Sequence, residues 1–159
     1  MPKYRNLTLD ELSNLEKEFV DFLVVNGITA DDWVRIKETN KEETDRIVEL
    51  FSDVVFEGIM RKTRFLENRS KKALRAFQCL DDKLVLVALE STDERINLTD
   101  PSHLKDLSTS ISSDLSIYTQ EKEYGKPREQ ELFEMTEYGC TISDGKLFKQ
   151  LSMLLAANA

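Results

Sequence analysis

The sequence predicts an α+β fold. It reads as one domain, with an N-terminal three-helix unit packed on a small, mostly antiparallel β-sheet and with C-terminal helices completing the cover. Three observations predict it. Apolar residues recur at helical spacing through residues 1–62. From residue 73 that period gives way to short apolar runs bounded by turn residues. Helical spacing then returns after Pro127. The 159 residues fit a single domain over 1–159, divided into a helical part, 1–62, and a mixed α/β part, 63–159. A hydrophobic share of 40% is enough for a core.

The first helix starts at Thr8, an N-cap with Glu11 three residues on as its capping box. Leu12, Leu15, Phe19, Phe22 and Leu23 follow on one side, and Gly27 ends it. A short second helix has Thr29 as cap, Asp32 closing the box, and Trp33 and Ile36 facing one way. The third runs from about Lys41 to Lys62. Its broad apolar face holds Ile47, Val48, Leu50, Phe51, Val54, Val55 and Ile59. Ala73–Leu80 and Lys83–Glu90 read as strands of a hairpin joined by Asp81-Asp82. Ile96-Asn97-Leu98 is a short strand candidate, and Asp100-Pro101 starts a short helix carrying Leu104 and Leu107. Leu115–Thr119 alternates as a strand. Pro127–Tyr138 is a helix stopped by Gly139, and Ser143 caps a last helix with Leu147, Phe148, Leu151, Leu154 and Leu155.

Charge is distributed unevenly. The net charge is −8, which disfavours non-specific binding to nucleic acid or anionic membrane. Residues 1–60 hold 7 basic and 14 acidic side chains, and residues 76–159 hold 8 and 15. Between them, residues 61–75 hold 7 basic and 1 acidic. This island of Arg61, Lys62, Arg64, Arg69, Lys71, Lys72 and Arg75 is a candidate anion patch. The competing reading is a solvated connector neutralised by the chain's own acids.

The third helix carries the opposite charge. Asp45, Glu49, Asp53 and Glu57 form an i, i+4 row away from the apolar stripe. At 100° per residue, with Ile47 at the origin, Phe56 and Met60 fall near about 180° and 220°, among those acids. These six residues form a candidate interaction face, for a protein partner or a second copy. The competing reading covers that side with the C-terminal part of this chain. Glu16 falls on the apolar side of the first helix, where a carboxylate pairs with an arginine or reaches the edge.

Other chemistries are poorly supplied. The single histidine, His103, lies in a polar stretch beside Ser102, so no nucleophile–His–acid set is expected. Cys79 and Cys140 with that histidine are too few and too far apart for a structural zinc. Ser143-Asp144-Gly145-Lys146 lacks the spacing of a phosphate loop. Asp81-Asp82 and the acidic row lack the EF-hand spacing, so no metal and no cofactor are expected. No apolar run is long enough for a membrane span. The acids at residues 10 and 11 do not suit an export signal, and two cysteines make no disulfide framework. A cytoplasmic protein with reduced thiols is expected.

Several stretches together resemble an uncharacterised family of small acidic proteins from Bacteroidetes bacteria, a domain of unknown function. They are Lys3-Tyr4-Arg5-Asn6-Leu7-Thr8, Ile28-Thr29-Ala30-Asp31-Asp32-Trp33 and Phe51-Ser52-Asp53-Val54-Val55-Phe56-Glu57-Gly58. Weaker similarity continues through 83–90, Glu121-Lys122-Glu123-Tyr124 and Lys146-Leu147-Phe148. The resemblance implies a bacterial, cytoplasmic protein and carries over no catalytic residue. The leading functional expectation is a non-enzymatic interaction or adaptor protein, binding an unidentified protein or itself. A nucleic-acid-associated protein using the basic island and a carboxylate-dependent hydrolase are the alternatives.

Overall fold

The computed structural model describes residues 2–100 and 114–158, and its fold is α+β. Four helices come first: α1 (Leu9–Asn14), α2 (Glu16–Val25), α3 (Ala30–Thr39) and α4 (Lys41–Lys62). Then follow β1 (Phe65–Arg69), β2 (Ala73–Cys79), β3 (Lys83–Ser91), β4 (Leu115–Glu123), α5 (Arg128–Glu137), β5 (Thr141–Ser143) and α6 (Lys146–Ala157). The chain divides into two compact units, Met1–Arg61 and Lys62–Ala159.

In the first unit the helix expected from Thr8 to Gly27 is two helices. Leu15, at φ −111° and ψ 25°, steps out of helical geometry between them. The step resets the helical phase, so Glu16, expected on the apolar side, is exposed, and so is Leu9. Both expected capping boxes form, Thr8 with Glu11 and Thr29 with Asp32, each closing orphan N–H groups at a helix start. Gly27, at φ 74°, takes the left-handed conformation after α2. Phe19 and Phe22 of α2 set their rings 4.9 and 5.3 Å from Phe51 of α4, and Trp33 of α3 meets Phe19 edge-on at 5.1 Å. This aromatic cluster is the core of the helical part.

Burial along α4 turns around the helix axis. Its first half buries Ile47 and Phe51, its second half Ser52, Phe56 and Met60. The expected stripe is therefore buried at its start and open at its end, where Val54 and Ile59 face solvent.

The second unit is built on a five-stranded sheet in the order β4-β3-β2-β1-β5, antiparallel throughout. Two strands were not anticipated. β1 lies inside the basic island, where Leu66 is fully buried opposite Phe77. β5 pairs with β1 and takes up Ser143, which therefore does not cap the last helix. Gly145 holds that position at φ 91°, with the Asp144 carboxylate accepting from the Lys146 N–H at 3.0 Å. Ile96–Leu98 is irregular and not a strand. Its Leu98 N–H donates to the Lys71 carbonyl at 2.9 Å, which anchors the fully buried Leu98 side chain in the core. The expected helix with Leu104 and Leu107 lies outside the described residues.

One face of the sheet carries Leu74, Ala76, Val87, Leu89 and Leu115, which pack with Leu147, Leu151 and Leu154 of α6. Alternation along the strands puts these residues on one side. The buried Arg128 side chain ties α5 to the sheet end by donating to the carbonyls of Thr63, Cys79 and Leu80.

Candidate functional site

The acidic row of α4 is already engaged within its own unit. The Asp53 carboxylate accepts the backbone N–H groups of Lys3 and Tyr4 at 2.9 and 3.1 Å. Glu57 accepts the Tyr4 hydroxyl and, at 3.1 Å, the Lys3 ammonium. Those bonds, the Tyr4 contact first, hold the Glu57 carboxyl below its ordinary range. The Arg5 guanidinium sits 4.6 Å from the centre of the Phe56 ring, and Arg5 also grips Glu11 through two bonds of 2.8 and 3.0 Å. Chiefly through Arg5 and then the Thr8 N–H, the Glu11 pKa falls to about 2. The Leu7 N–H donates to the buried Ser52 Oγ at 2.9 Å. Residues 3–7 thus form a strap across α4.

The strap corrects the expected interaction face of Asp45, Glu49, Asp53, Phe56, Glu57 and Met60. Phe56 and Met60 are buried, at 6% and 3% exposure, and so offer no contact surface. Asp53 and Glu57 bind the strap, Asp45 stays exposed and Glu49 is half-buried. The physical reason is a choice between two apolar sides of one helix. Burying Phe56 and Met60 outweighs burying Leu50 and Val54 by the larger area removed from water. The acids beside them are satisfied by N–H and ammonium groups of the strap.

The other side of α4 is left open. Leu50 and Val54 there are 44% and 57% exposed; Ile59, 40% exposed, lies about 140° further round the helix. Gly58 follows Val54 by one turn, with no atom within 4 Å of where a Cβ would sit. Charged pairs bracket this patch: Glu43 with Arg46 at 2.5 Å and Glu57 with Arg61 at 3.3 Å. Sequence reasoning placed Leu50, Val54 and Ile59 in the core. The available signal was the presence of apolar residues on two sides of α4, of which the strap takes one.

The basic island spreads over three settings. Arg61 and Lys62 end α4, Arg64, Arg69 and Arg75 lie on or beside β1 and β2, and Lys71 and Lys72 form the turn between those strands. Five of the seven face acids of this chain: Arg61 with Glu57, Arg64 with Asp81, Arg69 with Glu67, Lys72 with Glu94 and Arg75 with Glu90. Glu90 also accepts the Tyr118 hydroxyl at 2.8 Å, which raises the Tyr118 pKa.

Among the described residues neither thiol is activated. Both cysteines are free; burial pushes the Cys79 thiol up to about 11 and raises that of Cys140. Neither has the lowered pKa of a nucleophilic thiol. Burial lifts Tyr124 to about 12, with its hydroxyl donating to the Leu80 carbonyl. Glu131, buried in α5, pairs with Lys122. Among the described residues no three His, Cys, Asp or Glu side chains gather to hold a metal ion. His103 lies outside the described residues. No helix among them is long and apolar enough to cross a membrane.

The fold is thus an α+β protein with a strapped helical unit and a five-stranded antiparallel sheet. Residues 1–156 match the family of unknown function DUF6495, and the chain belongs to that family. Comparison with curated proteins and with solved structures gives no match. Two of the stretches on which the sequence resemblance rests, Lys3–Thr8 and Phe51–Gly58, are the strap and the helix segment that it binds.

Proposed function

We propose that this chain is a non-enzymatic interaction or adaptor protein that binds through the open side of α4. The observation that carries the reading is the exposure of Leu50 and Val54, one turn apart on one side of a well-formed helix, while the strap holds Ser52, Asp53 and Phe56 on another. Adjacent exposed apolar side chains rimmed by charge are the composition of a contact surface. The setting we propose is the cytoplasm of a Bacteroidetes bacterium, on the sequence resemblance and the two free thiols.

The test is capture of partners from lysate of the source cells by the tagged protein and by its Val54→Asp variant, with and without nuclease. Val54 is exposed, so the variant is expected to keep the wild-type circular dichroism and melting temperature while losing a nuclease-resistant partner. Equal capture by both proteins would refute the use of this surface. A captured set that vanishes with nuclease would move the binding role to the basic island.

A further inference from the structure

We infer that the occupant of the open side of α4 is a second copy of this chain, paired antiparallel about a two-fold axis. The inference deepens the interaction reading and rests on it. Six side chains follow one another along that side at spacings of three or four: Glu43, Arg46, Leu50, Val54, Glu57 and Arg61. At 100° per residue they fall within a sector of about 80°. In chain order the line is acid, base, apolar, apolar, acid, base. An antiparallel copy presents base, acid, apolar, apolar, base, acid. Acid therefore meets base at every outer position, and apolar meets apolar in the middle.

One register satisfies all of these pairings. When Leu50 stands beside Val54 of the second copy, Glu43 falls opposite Arg61, and Arg46 falls within one residue of Glu57, whose Oε2 is held by the strap and whose Oε1 lies on the Arg61 side. Gly58 then lies opposite Arg46, where the missing side chain leaves room for the long arginine stem. Parallel pairing would face Glu43 with Glu43 and Arg61 with Arg61. A two-fold contact must be self-complementary in this way, and the 3–4 spacing is that of a helix seam. Leu50, Val54, Arg46 and Arg61 are all exposed. Two Leu–Val contacts and a set of surface ion pairs make a weak, reversible dimer, because an exposed ion pair contributes at most about 1 kcal/mol.

The experiment is sedimentation velocity on the full chain over a concentration series, at low and high salt. A monomer–dimer equilibrium that weakens with salt is expected. Glu43→Arg and Arg61→Glu are each expected to weaken it about tenfold, since each turns attraction into repulsion at two symmetry-related places. Mixed together, the two variants are expected to pair again with near wild-type affinity. In that mixture each reversed charge meets its opposite, which an unrelated surface does not predict, while a parallel contact would leave each single variant no weaker than the wild type. A wild type that stays monomeric, or a mixture that does not recover, overturns the self-pairing. If the monomeric wild type still loses a captured protein on Val54→Asp, the interaction reading stands with a different partner. A dimer that persists in Val54→Asp overturns the use of this surface.

Discussion

Replacing Ser52 by Ala tests the strap at its most buried bond. Ser52 is fully buried, and its Oγ accepts the Leu7 N–H at 2.9 Å while donating to the Val48 carbonyl at 2.7 Å. The Val48 carbonyl is also the i−4 acceptor of the helix ladder, so losing the hydroxyl leaves it satisfied. The Leu7 N–H has no such second partner and is left unpaired in a buried setting, at a cost of about 1–3 kcal/mol. Alanine returns about 0.5 kcal/mol through its better helix propensity. The net expectation is a loss of about 1–2 kcal/mol. Urea unfolding followed by far-UV circular dichroism measures it, with an unchanged slope showing that the denatured state is not altered. A double-mutant cycle with Tyr4→Phe extends the test. Tyr4 binds Glu57 from the same strap, so the two losses should couple by about 0.5 kcal/mol or more. A Ser52→Ala protein as stable as the wild type, or more so, would show that the strap is not held at Leu7, and the account of Phe56 burial would fall with it.

Three further outcomes are expected. Phe56→Ala should cost about 3–5 kcal/mol as a core truncation, against no more than about 0.5 kcal/mol for Val54→Ala, and comparable losses would contradict the observed burial. Glu11 and Glu57 have lowered pKa values in the fold. The stability they contribute is therefore present above their unfolded values near about 4.5 and is lost as pH falls, for Glu11 toward about 2. Arg5→Gln should flatten that acid loss in a pH series of melting curves, and an unchanged slope would remove Arg5 as its cause. Gly145→Ala places a Cβ 2.7 Å from the Phe65 ring at a backbone φ of +91°. A loss of about 2 kcal/mol or more is expected by chemical denaturation, and a neutral variant would mean that the turn into α6 yields easily.

The parts of the fold that depend on local rules were legible in advance. Thr8 with Glu11 and Thr29 with Asp32 announce helix starts through side-chain bonds that span only three residues. The β2–β3 hairpin follows from Asp81-Asp82 between two apolar runs. What escaped was decided by distant partners. β1 carries Phe65, Leu66 and Glu67 between basic residues, and only pairing with β2 and β5 makes it a strand. Ser143 has the right chemistry for a cap, yet pairing with Phe65 takes it into the sheet. Leu98 is a core residue without regular structure, held by one backbone bond to Lys71.

The candidate site shows the same division. The six residues of the α4 seam, their spacing and their alternating charge are properties of the sequence alone, because a helix of 22 residues converts spacing into geometry. Which side of that helix faces solvent is not local. Both sides are apolar enough to bury, and each had a claim on the core. The strap settled the competition from 45 residues away, where the Leu7 N–H meets Ser52 and the Lys3 and Tyr4 N–H groups meet Asp53. Buried polar groups must be paired, and the strap's donors find their acceptors on the side that carries Ser52, Asp53 and Glu57. Phe56 and Met60 were buried with them, and Leu50, Val54 and Ile59 were left to the solvent.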